Sequence, residues 1–256
     1  MADPLHVRVF GPDDARPLLA LHGVTGHGAR FRRLAESGLS GFRVIAPDLR
    51  GCGDSPRLPP WTLEQHAADL LAVLDAHRLD AVPVVGHSYG GLIALHLARL
   101  APQRVRRLVL LDPAVSVRAK DALAWAEAPA KVAATRAEAV AAQRADWPDV
   151  VADDVIDEEV DAAWAESDGQ WRPKFSRAAN ATAWSEMCRA TPLPPPGTPT
   201  LLVRALREAF VGPEFIQACE STLADEFTLV GLDNGHMVYL EDPDRIGALV
   251  TDFAGA

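Results

Sequence analysis

The sequence predicts an α/β fold: a mostly parallel β-sheet flanked by helices on both faces and interrupted by a helical insertion. Three observations carry this. Short apolar runs recur at residues 6–10, 17–21, 42–46, 81–85, 107–111, 200–205 and 226–230. Helical patterns lie between several of them, as at 63–77 with apolar Leu63, Leu70, Leu71 and Leu74. The alternation stops after Asp112-Pro113 and resumes at Thr200. Continuous apolar runs, rather than period-two alternation, are what strands buried on both faces require.

Taken in order, the first two runs are joined by Gly11-Pro12-Asp13-Asp14 and read as a hairpin at the sheet edge. From about 117 to 190 the chain reads as helical and rich in alanine and charge. This stretch holds Trp125, Trp147, Trp164, Trp171 and Trp184, which can line a pocket or hold together a small core of their own. Pro192-Leu193-Pro194-Pro195-Pro196-Gly197-Thr198-Pro199 cannot continue a helix and reads as an extended return. The expected organisation is a core of residues 1–113 and 199–256, with the insertion and its proline-rich linker over 114–198.

Composition narrows the function classes. Of 256 residues, 48% are hydrophobic and 23% charged, the balance of an ordinary globular protein. A formal net charge of −10 argues against nucleic acid as partner, because such binding rests on neutralising phosphates. No apolar segment reaches the ~18 residues of a membrane span. The opening Met1-Ala2-Asp3-Pro4-Leu5 lacks the pattern of a secretory leader. Cys52, Cys188 and Cys219 are odd in number and widely spaced, which fits a reducing cytoplasm. The expected partner is a small-molecule substrate, with self-association left open. There is no Gly-x-Gly-x-x-Gly fingerprint, no phosphate loop and no metal-ligand spacing, so a reaction without cofactor or metal is expected.

The most informative motif is Gly86-His87-Ser88-Tyr89-Gly90, between the apolar run 81–85 and the helical pattern from Leu92. Strand, Gly-x-Ser-x-Gly and helix in that order form a nucleophile elbow, a sharp reversal that projects the serine hydroxyl beyond the sheet. A hydroxyl is a weak nucleophile and needs a base within hydrogen-bond reach.

Four segments resemble the α/β-hydrolase superfamily, in its capped esterase- or lactonase-like form. They are the elbow; the strand with His22-Gly23-Val24-Thr25-Gly26; Pro47-Asp48-Leu49-Arg50-Gly51-Cys52-Gly53-Asp54-Ser55; and Asn234-Gly235-His236-Met237 followed by Leu240-Glu241-Asp242-Pro243. The resemblance covers the whole chain and makes the insertion a cap. It implies Ser88 as nucleophile, His236 as base, and an oxyanion hole from the backbone N–H groups of Val24 and Tyr89. His22 resembles the structural histidine before the oxyanion loop, and His87 is expected to point away from the site. Glu208 falls where the acid is expected, in the segment after the strand at 200–205, with Asp112 at the end of the run 107–111 as the alternative. Arg204 and Arg207 could draw Glu208 into a salt bridge. Tyr89, Met237 and Val238, with Trp125 and Trp147 from the insertion, are candidate pocket residues.

The implied reaction is hydrolysis of a small or medium-sized ester, lactone or thioester through an acyl-enzyme. On the same triad, carbon–carbon bond hydrolysis and cofactor-free oxidation or perhydrolysis are alternatives. The first calls for diketone acids, and the sequence offers no obvious cationic pair for them. A ligand-binding receptor with vestigial hydrolysis is a reading from another class, distinguished by tight binding without turnover.

Overall fold

The computed structural model describes residues 3–147 and 151–255; Met1 and Ala2 of the opening stretch lie outside them. In chain order the elements of the first half are β1 (Val7–Phe10), β2 (Arg16–Leu21), α1 (Arg32–Ser37), β3 (Phe42–Pro47), α2 (Leu63–Ala76), β4 (Val82–His87), α3 (Tyr89–Leu100) and β5 (Val105–Leu111). The insertion carries α4 (Ala119–Ala126), α5 (Arg136–Asp146), α6 (Asp153–Ala163), β6 (Trp164–Ser167), β7 (Gln170–Pro173) and α7 (Arg177–Glu186). The chain then returns through β8 (Thr200–Ala205), α8 (Pro213–Leu223), β9 (Phe227–Leu232), α9 (Val238–Glu241) and α10 (Pro243–Gly255).

One seven-stranded sheet has the order β1-β3-β2-β4-β5-β8-β9, and every pairing except β1 with β3 is parallel. All six residues of β4 are buried, as a central parallel strand demands. Alternation divides the side chains between two cores. Val82, Val84, Leu108 and Leu110 join Leu70, Leu92 and Phe215 on one face. Val85, Val109 and Leu111 join Phe31, Tyr239 and Val250 on the other.

Two expectations fail. β1 and β2 are not a hairpin, because β3 lies between them, antiparallel to β1 and parallel to β2. Strand β2 is buried over its last four residues and uses both edges for parallel neighbours. The half-exposed β1 therefore takes the sheet edge. The insertion is not wholly helical: β6 and β7 form a hairpin around Asp168-Gly169, both with positive φ (54° and 72°). That dipeptide suits the tight turn which follows strand twist.

The insertion has little apolar core of its own, chiefly Trp164 with Ala133, Ala139, Val160 and Ala163. Ion pairs fasten it to the sheet domain instead. Glu159 on α6 is buried and accepts bonds from His27 Nε2 at 2.8 Å and Arg30 Nη2 at 2.6 Å. Arg33 reaches Asp154 at 2.7 Å and Glu158 at 3.0 Å nearby. Arg50 holds Asp69 of α2 through two 2.7 Å bonds, fixing the loop after β3. Among the described residues no helix is long and apolar enough to cross a membrane.

Burial by itself would push the Glu159 carboxyl up, but the Arg30 guanidinium and His27 outweigh it and hold it well below the usual carboxylate range. Stability from a depressed carboxylate is present above its unfolded value, about pH 4.5, and is lost as pH falls towards the folded one. Glu159→Gln should therefore cost about 3 kcal/mol at pH 7, and its urea midpoint should fall less than the parent's between pH 5 and pH 3. Parallel pH dependences would show that Glu159 does not fasten the insertion.

Candidate active site

The site forms at the carboxyl ends of β4, β5 and β8. The register pairs His87 with Leu111, so Ser88 and Asp112, each one residue further on, leave the sheet side by side. The Ser88 N–H donates to Leu111 O at 3.1 Å, and the Ala114 N–H returns a bond to Ser88 O at 3.0 Å. Ser88 has φ 54° and ψ −121°, a strained conformation for a residue with a side chain. Its flanking glycines let the backbones converge. A Cβ on Gly86 would sit 2.5 Å from Gly90 O, and one on Gly90 2.3 Å from Leu21 O.

His236 Nδ1 lies 2.6 Å from Asp112 Oδ2, while Asp112 Oδ1 accepts from the Ala205 N–H at 3.1 Å. The Asp112 carboxylate is fully buried, and the bond leaves Nε2 as the ring nitrogen available for proton transfer. The expected partner, Glu208, is not the one bonded to this ring. It remains half-buried in the loop after β8, where Arg207 turns outward to Asp233 at 2.9 Å. From that loop Phe210 instead reaches the imidazole, stacking at 4.2 Å between ring centres.

His87 does not point away. The alternation of β4 sends it to the face where Tyr239 packs, and its Nε2 donates to His236 O at 2.8 Å, with the two rings 4.7 Å apart. Burial, reinforced by His236, pushes His87 well below the usual histidine range and keeps it a neutral donor. Glu241 closes the loop from the other end, accepting from the Gly235 N–H at 3.0 Å. Sequence reasoning did not single out His87, Phe210 or Glu241 for these contacts. His87 and Glu241 lay in quoted motifs, the elbow and the histidine loop, but Phe210 did not.

The loop before Val24 is held by His22, which donates through Nδ1 to Gly23 O at 2.7 Å and accepts at Nε2 from the Leu49 N–H at 2.8 Å. Burial lowers His22 to about 3, so its tautomer is fixed near neutral pH. Asp48 accepts from the Gly28 and Asp54 N–H groups at 2.7 and 2.9 Å. His6, Asp48 and Asp54 converge closely enough to suggest a cation site, but Asp54 is already paired with Lys174 and Arg8. Their contacts are those of a latch between loops.

Ser88 and His236 open into one cavity of about 650 Å³, also lined by Val24, Trp125, Trp147 and Met237. Val238 does not line it; it is fully buried in the core beneath. Tyr89 opens α3, where N–H groups precede any intrahelical acceptor, and its ring faces a smaller cavity beside His66. Several arginines distant in sequence also reach the serine cavity, for which the sequence offered no obvious cationic pair.

The same architecture is found in known proteins. The chain matches the alpha/beta hydrolase fold over residues 16–243. It is a member of that family. It is 38% identical to lipase LipV of Mycobacterium tuberculosis, with 98% of each chain covered. Among solved structures, E-2-(acetamidomethylene)succinate hydrolase aligns with a TM-score of 0.86 at 22% identity, covering 98% of this chain and 95% of that one. A marine microorganism esterase aligns at 0.79 and 21%, covering 98% and 99%. These structural likenesses establish the fold. With the family match and the lipase relative, the chain is an alpha/beta hydrolase of the esterase-like kind.

Proposed function

We propose that this hydrolase cleaves a small or medium-sized carboxylic ester, lactone or thioester through an acyl-enzyme, with Ser88 as nucleophile, His236 as base and Asp112 as the orienting carboxylate. The observation that carries this is the 2.6 Å contact between Asp112 and His236 beside the strained serine turn. Asp112 fixes the tautomer, so Nε2 takes the Ser88 proton as Oγ attacks the carbonyl carbon. Negative charge then appears on the former carbonyl oxygen, and in this reading the Val24 and Tyr89 N–H groups, the latter at a helix N-terminus, receive it. His236 returns the proton to the departing alcohol or thiol, and water releases the acid by the same route. The cap of residues 114–198 supplies Trp125 and Trp147, and with Met237 they offer an apolar wall to the substrate. The separated free cysteines support action in the cytoplasm.

Ser88→Ala should reduce hydrolysis of p-nitrophenyl esters at least about 10³-fold. Retained turnover would remove the serine from the reaction. Asp112→Asn should cost about 10³- to 10⁴-fold in kcat, whereas Glu208→Gln should stay within about threefold. Comparable losses in the two variants would overturn the choice of Asp112.

A further inference from the structure

The chain as a whole is acidic, with 35 Asp and Glu against 25 Lys and Arg. The cavity in front of Ser88 reverses that balance. Arg30, Arg57, Lys131, Arg172, Lys174 and Arg177 line it, against the two carboxylates Asp146 and Glu159. Three of the cations are already neutralised: Arg30 by Glu159, Lys131 by Asp146, and Lys174 by Asp54, which lies outside the cavity. Among the described residues, Arg57, Arg172 and Arg177 have no carboxylate partner, and all three are exposed.

Their placement follows from how the insertion meets the core. The Ser176 N–H donates to Gly51 O at 2.7 Å, Cys52 bridges Phe175, and Lys174 reaches Asp54 at 2.9 Å. These contacts stitch residues 174–176 to the loop that carries Arg57. Arg172 comes from β7 and Arg177 opens α7, whose first turn contains no acid. A cation at a helix N-terminus opposes the helix dipole, so Arg177 weakens α7 unless an anion sits nearby. Uncompensated cations gathered at one cavity repel one another, whereas a bound anion converts that repulsion into attraction. The tryptophans and Phe175 provide apolar wall in the same space.

We infer that this cavity selects esters carrying a second, anionic group, a carboxylate or a phosphate separated from the scissile carbonyl by an apolar spacer, held by Arg57, Arg172 and Arg177. Guanidinium groups suit both anions through paired N–H donors. The inference rests on ester cleavage at Ser88.

The test compares p-nitrophenyl hexanoate with mono-p-nitrophenyl adipate and p-nitrophenyl 6-phosphooxyhexanoate, in the parent and in the Arg57→Gln/Arg172→Gln/Arg177→Gln variant. At least one anionic ester should exceed the neutral one about tenfold in kcat/KM, and the better of the two identifies the anion. The advantage should vanish in the triple variant and shrink in about 0.5 M salt, with the neutral ester changed less than about twofold. Neutral and anionic esters turned over equally by the parent, or an advantage that survives the triple substitution, would overturn the inference. Quenching of tryptophan fluorescence in Ser88→Ala by adipate, compared with hexanol, separates the two failures. Arginine-dependent adipate binding with no ester turned over contradicts the ester reading alone. Ester turnover with binding indifferent to charge contradicts the anion site alone.

Discussion

The buried carboxylate of Asp112 ties together the parts of the site that lie furthest apart in the chain. One oxygen takes the backbone N–H that ends β8, the other takes the ring of His236, and the Asp112 N–H itself donates to Val203 O at 2.7 Å. Such a carboxylate, if left unpaired, would be costly to bury, and its bonds to the chain compensate for that burial. The same three bonds fix where the His236 loop stands relative to the end of β5. Because β5 is in register with β4, they also fix it relative to Ser88.

Around this node the loops are pinned by buried and half-buried polar groups rather than by apolar packing alone. His22 and Asp48 hold the segment before Val24, Arg50 and Asp69 hold the loop after β3, and Glu241 and His87 hold the loop of His236. Each contact uses a directional bond to backbone or to an opposite charge, which fixes position more narrowly than side-chain packing can. The insertion follows the same rule, since Glu159 and the arginines near α1 compensate for its thin alanine-rich core. Backbone strain at Ser88 is tolerated because the surrounding structure over-determines it.

The parallel core was legible because strands buried on both faces leave apolar runs in the sequence. Ser88 and His236 were legible because the elbow and the histidine loop impose local constraints on their neighbours. The carboxylate that meets the His236 ring was not, because the choice between Asp112 and Glu208 depends on a contact across 124 residues. Glu208 sits in the anticipated loop, yet that loop presents Phe210 to the imidazole. Strand order escaped for a similar reason, since nothing local in β1 reveals that its partner is β3. The β6–β7 hairpin had a readable signal in Asp168-Gly169, masked by alanine-rich surroundings. The cationic lining gathers residues from the β3 loop, β7 and α7, and no local pattern announces it.

The central claim is that Asp112, and no other carboxylate, holds the His236 ring in its working tautomer. Proton NMR of the imidazole N–H of His236 tests this most directly, in the parent protein and two variants. A bond to a buried carboxylate should shift this resonance far downfield of the amides, unchanged in Glu208→Gln and absent in Asp112→Asn. A resonance that survives Asp112→Asn, or disappears in Glu208→Gln, would contradict the account.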